Sequence, residues 1–325
     1  MAEAATKTFD LSTMAEDVED IIYNISPMDT WAFTNLKRKK ASNRYHQWVT
    51  DVLATPAANS HLEGDDATYS TAATHTVLGN YTNISRKTVE VSGTADAVKQ
   101  YGVAEKFAYE IAKVGKELKR DIETMLLGAQ ASTIGAKASA RVAAGLETMI
   151  SGNRILAGGS ANTTGTTPGF SGTTWAAPTD GTQATLAESV LNSALQASWE
   201  DGGDPSIILC GPSVKRQIAQ FAGAASFAGF YKPNQGAANG AVISGVDTFV
   251  SDFGSHKVML SRYCRARTLF CVDPEYVSMA WLRPIKYEAL AKVGDGSRGM
   301  ILGEWTLVSD NPNAHAKVQD LVTSV

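Results

Sequence analysis

The sequence predicts an α+β fold in which extended segments project from two compact parts. Three patterns predict it: two strand-like runs enclose a long polar loop, a long amphipathic helix follows them, and the second half alternates helices with short apolar strands. A chain of 325 residues is long enough for one large domain or two ordinary ones. Hydrophobic residues make up 44% of it and charged residues 19%, which is typical of a folded globular protein.

The overall charge of the molecule does not favour binding to polyanions. The formal net charge is -4, so any contact with DNA is expected to be local and weak. The three cysteines, Cys210, Cys264 and Cys271, have no CxxC spacing and are expected to be buried thiols in a reducing compartment. The N-terminus has no basic start followed by an apolar run, and no apolar run approaches ~18 residues, so we expect neither a secretory signal nor a membrane contact.

Residues 1–40 have the character of an arm. Polar and acidic residues come first, and the stretch TWAFTNLKRKK then combines an apolar stripe of Trp31, Phe33 and Leu36 with four positive charges. A basic run this short usually forms a solvated face.

A two-stranded ribbon follows the arm. Strand-like patterns run from Arg44 to Leu53 and from Val77 to Gly93, and the segment between them is small, polar and loop-like. Because isolated ribbons are marginal in water, this one is expected to lie on a partner surface.

A single long helix is predicted from Val103 to Gln130, about 40 Å in length. One face is apolar, and the opposite face offers i,i+4 pairs of Lys113 with Glu117 and Lys119 with Glu123. Gly115 lies in the middle, where glycine costs about 1 kcal/mol relative to alanine. We therefore expect either a closely packed neighbour or a bend at Gly115.

The second half begins with a Gly/Thr/Ser-rich stretch, residues 151–184, that is predicted to be a surface insertion. An α/β rhythm follows, with a helix at 185–199, a buried strand at 205–210, a helix at 211–223 and strand-like runs from 245 to 282. Two last extended segments flank Gly294-Asp295-Gly296, which is a hairpin signal.

The chain shows no catalytic, cofactor-binding or metal-binding pattern. No two of its histidines have the spacing of paired metal ligands such as HExxH. The sequence also contains neither a GxxxxGK[ST] phosphate-binding loop nor a GxSxG nucleophile elbow. We expect no enzyme activity, no cofactor and no metal. The histidines are His46, His61, His75, His256 and His315.

The arm and the ribbon carry the candidate contact residues. Their aromatic side chains have little local core to cover them, which favours contact with another molecule. An acidic cluster at the ribbon tip could bind a cation or a basic partner, or could simply be solvated. The candidates for inter-subunit contact are Trp31, Phe33, Tyr45, Trp48, Tyr81, Arg86, and the acidic Glu63, Asp65 and Asp66.

Four segments together resemble the SU10-like group of major capsid proteins of tailed bacteriophages. They are NISPMDTWAFTNLKRKKASNRYHQWVTDVLA, NYTNISRKTVEVSGTADAV, EKFAYEIAKVGKELKRDIETMLL and LRPIKYEALAKVGDGSRGMILGEWTLVSDNPNAHAKVQDL. Their order is more specific than any one of them. The likeness is weakest at residues 155–184 and 224–242.

The resemblance implies an HK97-like fold with five parts. They are an N-terminal arm at 1–40, an E-loop β-hairpin at 41–95, a peripheral domain with a spine helix at 96–149, an axial domain at 150–284, and a return to the peripheral domain at 285–325.

The resemblance also implies self-assembly into hexamers and pentamers of an icosahedral or prolate head that encloses double-stranded DNA. The implied partners are the chain itself, a portal, decoration or separate scaffolding proteins, and packaged DNA through weak contacts. The location would be the virion, after assembly in the bacterial cytoplasm. No lysine lies between Thr50 and Ser85, so we expect no isopeptide crosslink from the E-loop.

Gly115 is the candidate bend of the spine helix during shell expansion. Two other functions stay open from the sequence. One is an encapsulin-like compartment around protein cargo, and the other is a cytosolic α/β enzyme built on residues 185–223.

Overall fold

A computed structural model of the chain describes residues 29–323 except positions 55, 68, 70–73, 101, 104, 159–164 and 222–246. Most of the predicted arm, residues 1–28, lies outside this range. The described helices are α1 Trp31–Asn35, α2 Gly93–Ala97, α3 Lys106–Leu126, α4 Leu146–Met149, α5 Glu188–Glu200 and α6 Pro212–Ala219. A 3-10 turn spans Pro312–Ala314.

Fourteen strands accompany these helices in the described ranges. They are β1 Lys37–Lys40, β2 Tyr45–Thr50, β3 Thr76–Tyr81, β4 Asn83–Ser92, β5 Arg154–Leu156, β6 Gly169–Ser171, β7 Thr174–Ala176, β8 Ile207–Cys210, β9 Thr248–Ser251, β10 Gly254–Leu260, β11 Thr268–Val272, β12 Val277–Ala289, β13 Gly296–Ser309 and β14 Ala316–Gln319. The predicted α+β class is confirmed.

Two main sheets and two short ribbons organise the strands. One sheet has the order β1-β12-β13-β4 and the other β5-β14-β11-β8-β10-β9, while β2 pairs with β3 and β6 with β7. The predicted final hairpin is present as β12 and β13, with Gly294 in the left-handed region at φ 76. Such a φ suits glycine because a Cβ would be strained there.

Helix α3 packs on β4 and β13 of the four-stranded sheet. Its C-terminal half is well covered, with Leu118, Ile122 and Leu126 at most 1% exposed, whereas the N-terminal half is only half-buried. The helix has 21 residues, about 32 Å at 1.5 Å per residue. The predicted 40 Å was too long, because Gly102 adopts φ 75 before the helix and the chain turns at Gly128 after it.

One core lies between the two sheets. Leu118 and Ile122 of α3 pack in it with Trp305 of β13 and Phe270 of β11. Each of these residues is at most 1% exposed. A second core packs α5 and α6 against the other face of the six-stranded sheet. Buried aliphatic side chains of this kind contribute about 1.5–3 kcal/mol each, so the two cores hold the compact parts together.

Three sequence expectations need correction. The strand predicted from Val77 to Gly93 is two strands, because β3 pairs with β2 while β4 pairs with β13, and the chain changes partner at Thr82. Residues 285–325 were expected to return to the peripheral domain, but only the end of β12 and β13 lie in the four-stranded sheet beside α3, while β14 enters the six-stranded sheet between β5 and β11. The predicted surface insertion supplies β5 and a Trp175 side chain that is 2% exposed.

A buried polar cluster ties the insertion to the six-stranded sheet. The Lys317 ammonium of β14 is fully buried and donates to the Glu147 carbonyl and the Thr167 hydroxyl, each at 2.7 Å. Arg265 bridges Glu147 and Asp180 at 2.8 and 2.7 Å. Burial lowers the pKa of Lys317 from 10.5 to about 7.

The pKa of Lys317 predicts a pH dependence of stability. Between pH 7 and 10.5 the unfolded chain holds a proton on Lys317 that the folded chain has released, so the free energy of unfolding should rise with pH there. Lys317→Met should remove this contribution in urea unfolding measured across the window. The exposed control Lys137→Met should keep the wild-type slope. Equal slopes for wild type and Lys317→Met would contradict the assignment.

Candidate assembly surfaces

The ribbon β2–β3 is fixed firmly where it joins the body. We call residues 79–83 the ribbon root. The Asn80 amide donates to the Leu307 carbonyl at 3.0 Å and accepts from the Ala144 N–H at 3.0 Å. The Trp175 indole donates to the Gly79 carbonyl at 2.9 Å, and the Thr306 hydroxyl donates to the Tyr81 carbonyl at 3.0 Å. The root therefore cannot swing freely.

A buried carboxylate completes the ribbon root. Glu304 of β13 is 4% exposed. It accepts from the Thr82 hydroxyl at 2.7 Å, from Arg283 Nε at 2.9 Å and from the Arg141 guanidinium. Arg141 Nε also donates to the Thr82 carbonyl at 3.3 Å. Charge-assisted bonds on both sides of Thr82 hold the point where the chain passes from ribbon to sheet.

A second buried carboxylate fixes the start of the described chain. Glu123 of α3 accepts from the N–H groups of Ala32 and Phe33 at 2.9 and 2.7 Å, one with each carboxylate oxygen. It thereby caps the N-terminus of α1 from a different helix. Burial raises the pKa of the Glu123 carboxyl, and the backbone N–H donors of α1 oppose that shift. The described part of the chain thus begins beside an anchored helix.

The far end of the ribbon has no such support. We call residues 51–75 the distal loop, and every described residue in it is exposed. Four large apolar side chains in this loop are 82–96% exposed, namely Val52, Leu53, Leu62 and Tyr69. Exposed apolar groups concentrated on one projection favour a contact with another surface.

The candidate contact residues fall into three groups, which are buried, half-buried and exposed. Trp31, Phe33 and Tyr81 are 8%, 8% and 4% exposed, so the expectation that little local core covers them was wrong. Trp31 and Phe33 join the main core beside α3, and Tyr81 stacks on the half-buried Tyr45 at 4.7 Å between ring centroids. Trp48 is half-buried against the core. The exposed candidates are Glu63, Asp65, Asp66 and Arg86.

Sequence reasoning missed the two anchoring carboxylates. Glu304 carried a usable signal, because it stands alone among apolar residues in the strand segment MILGEWTLV. A lone carboxylate in such a segment is usually buried with a charged or hydrogen-bonded partner. Glu123 carried no signal of this kind, since its spacing suited a surface pair with Lys119.

The described residues offer neither a metal site nor a membrane-spanning helix. Within these ranges no group of three or more His, Cys, Asp or Glu side chains could hold a metal ion. Among the helices described above, none is long and apolar enough to cross a membrane.

The fold matches solved shell proteins along nearly the whole chain. The capsid of cyanophage A-1(L) aligns with a TM-score of 0.67 at 13% identity, covering 98% of this chain and 99% of that one. The chain of Mycobacterium phage Bobi aligns with a TM-score of 0.60 at 12% identity, covering 96% and 98%. The SrpI encapsulin from Synechococcus elongatus aligns with a TM-score of 0.56 at 9% identity, covering 96% and 94%. The fold is thus the HK97-like fold of viral capsid and encapsulin shells.

Sequence comparison identifies the family. The family model described as SU10 major capsid protein matches residues 3–322. The chain belongs to the SU10 major capsid protein family. It is also 39% identical over 111 residues to the major capsid protein of Escherichia phage Phieco32, an alignment that spans 34% of this chain and 31% of that protein.

The Glu304 network can be tested by one neutralising change. Glu304→Gln leaves two arginines facing an amide, so we expect a loss of about 1–3 kcal/mol in the free energy of unfolding. Hydrogen exchange at residues 79–83 should rise more than elsewhere. The matched control Glu90→Gln breaks an Arg298 pair whose carboxylate is 60% exposed, and should cost under about 1 kcal/mol. Equal losses in the two variants would count against the anchor.

Proposed function

We propose that the chain is the major capsid protein of a tailed bacteriophage and assembles into hexamers and pentamers that form an icosahedral or prolate head. The observation that carries the proposal is the distal loop, which projects from an anchored ribbon root and exposes large apolar side chains. Membership of the SU10 family and the HK97-like fold support it.

The ribbon root and the distal loop have different roles in the proposed contact between subunits. The ribbon root keeps the ribbon in one direction, so less conformational freedom is lost when the distal loop meets a neighbour. Val52, Leu53, Leu62 and Tyr69 supply apolar area at that contact, with Tyr45 and Trp48 nearer the base. Many such modest contacts around a closed shell multiply into a stable particle.

Other parts of the proposal follow from the family. The head encloses double-stranded DNA, contains a portal, and takes decoration or separate scaffolding proteins where the phage has them. It assembles in the bacterial cytoplasm, ends in the virion, and carries out no enzymatic step. The absence of lysine between Thr50 and Ser85 supports shell contacts without an isopeptide bond from this loop.

The encapsulin-like alternative receives less support. The chain resembles the SrpI encapsulin in fold only, because the two sequences are 9% identical. The family match, by contrast, is to a phage capsid protein over residues 3–322. Electron microscopy of expressed particles together with analysis of their contents separates a genome container from a protein-cargo container.

Gly115 stays the proposed bend of the spine helix, α3. In the described state the helix runs through Gly115 without interruption, and a Cβ there would lie 3.6 Å from Ile301 Cδ1, which is ordinary contact. Alanine would therefore fit, so packing does not require glycine at this position. Conformational freedom is the remaining physical reason for it.

The distal loop makes a direct prediction about assembly. Leu53 and Leu62 are 93% and 82% exposed, so Leu53→Ser with Leu62→Ser should change the free energy of unfolding by under about 0.5 kcal/mol per site. Particle yield in electron microscopy should nevertheless fall strongly. The control pair Val98→Ser and Ile134→Ser alters side chains that are 58% and 53% exposed outside the loop. Normal yield from the loop variant would contradict the proposal.

The bend at Gly115 has its own test. Gly115→Ala should raise the free energy of unfolding by up to about 1 kcal/mol, because alanine has the higher helix propensity. Heads built from it should expand more slowly or incompletely, as followed by electron microscopy. The reciprocal control Ala112→Gly, at an exposed position of α3, should lower stability without blocking expansion. Normal expansion of Gly115→Ala heads with a straight helix in both states would refute the bend.

A further inference from the structure

A cationic pocket lies where α1, β1 and α3 meet. It has a volume of about 310 Å³ and is lined by Thr30, Phe33, Thr34, Arg38, Lys116, Lys119 and Arg120. Four of these seven residues are cations and two carry hydroxyl groups. Phe33 is the one aromatic, and its ring lies 5.6 Å from the Arg38 guanidinium carbon and 5.8 Å from Lys119 Nζ. The ring attracts both cations and holds them at the pocket.

The cations of this pocket have no carboxylate partner in the part of the chain that the structure describes. Every acidic residue of α3 is engaged elsewhere. Glu110 pairs with Lys106 at 2.9 Å, Glu117 and Asp121 pair with Lys87 at 3.2 and 3.0 Å, and Glu123 is buried beneath α1. Positive charge is thus concentrated on one face of a chain whose net charge is -4.

The positive face continues beyond the pocket. All four residues of β1 are exposed. Lys39 is paired with Asp310 at 2.6 Å, but Lys40 has no carboxylate partner among the described residues. Arg38 and Lys40 lie two positions apart on this strand and so share one of its faces. A row of cations that extends past a single pocket fits a linear polyanion better than one isolated anion.

We propose that this cationic pocket is a binding site for the phosphate backbone of duplex DNA. The proposal rests on the proposed function, because it names the surface that meets the packaged genome. Guanidinium, ammonium and hydroxyl donors are the groups that contact phosphate oxygens without reading sequence. Duplex DNA presents a charge about every 1.7 Å along its axis, so neighbouring phosphates engage neighbouring cations.

The rival occupant is the acidic tip of a second copy's distal loop. Glu63, Asp65 and Asp66 have the complementary charge, but Leu62 and Tyr69 beside them are 82% and 96% exposed and need an apolar receiving surface. The cationic pocket offers Phe33 alone, and that side chain is itself 8% exposed. The pocket therefore suits a phosphate backbone better than an apolar and acidic loop.

The test measures DNA binding by the unassembled full-length chain. The pocket variant carries Lys116→Gln, Lys119→Gln and Arg120→Gln. The matched control carries Lys137→Gln, Lys257→Gln and Lys292→Gln, three exposed lysines without a carboxylate partner in the described ranges. Fluorescence anisotropy with a duplex of about 20 base pairs gives the affinity and its dependence on salt. Melting temperatures establish that both variants are folded.

We expect the pocket variant to lose more than about tenfold in affinity near 0.1 M salt, and its slope of log affinity against log salt to fall by about 3. The control should stay close to the wild type. Equal losses in the two variants, or no loss in either, would overturn the proposal. If the triple variant does not fold, Lys116→Gln alone should still lower the slope by about 1.

Assembly separates this inference from the proposed function. Suppose the pocket variant binds DNA like the control but forms no shells, and Glu63→Gln with Asp65→Asn and Asp66→Asn fails to assemble as well. The pocket then receives the neighbouring loop, and the DNA proposal is wrong. Wild-type shells without pocket-dependent DNA binding would refute this inference alone. Pocket-dependent DNA binding without wild-type shells would refute the proposed function alone.

Discussion

The structure depends on the rigid attachment of a projection that cannot support itself. A ribbon whose tip is exposed buries too little area to hold its own direction. The Glu304 carboxylate solves this by receiving the Thr82 hydroxyl and two guanidinium groups at the point where the ribbon joins β4. Buried ion pairs often add little net stability, since desolvation offsets their attraction. Their directional hydrogen bonds nevertheless fix geometry, and a fixed direction is what a shell contact needs.

Much of the architecture was predictable because it follows from local periodicity. The apolar stripe of α3, the alternation of helices and strands after residue 185, and the hairpin at Gly294 each depend on neighbours in sequence. The limits of these elements were less predictable. The strand from Val77 to Gly93 has one β-rich composition, but its two halves pair with β2 and β13. The division of this segment into two strands therefore depends on tertiary pairing, which the local sequence does not determine.

The insertion and the aromatic residues show a different limit of sequence reasoning. Composition placed Trp175 in a surface loop, yet its indole packs in the core and bonds the Gly79 carbonyl at the ribbon root. Trp31 and Phe33 were likewise expected to lack cover, but α1 folds onto α3 and buries them. In each case the covering surface comes from a segment distant in sequence. Composition alone does not report such contacts.

The anchor of α1 also explains the charge of the neighbouring surface. The spacing of α3 predicts that Lys119 and Glu123 neutralise each other across one helical turn. Glu123 instead turns inward to cap α1, and Glu117 pairs with Lys87 of β4. Lys119 and Arg120 are consequently left without carboxylate partners, and Lys116 has no carboxylate three or four residues away on α3. One folding requirement, a cap for the helix that starts the described chain, thus fixes the position of α1 and also adds to the positive charge of the cationic pocket beside it.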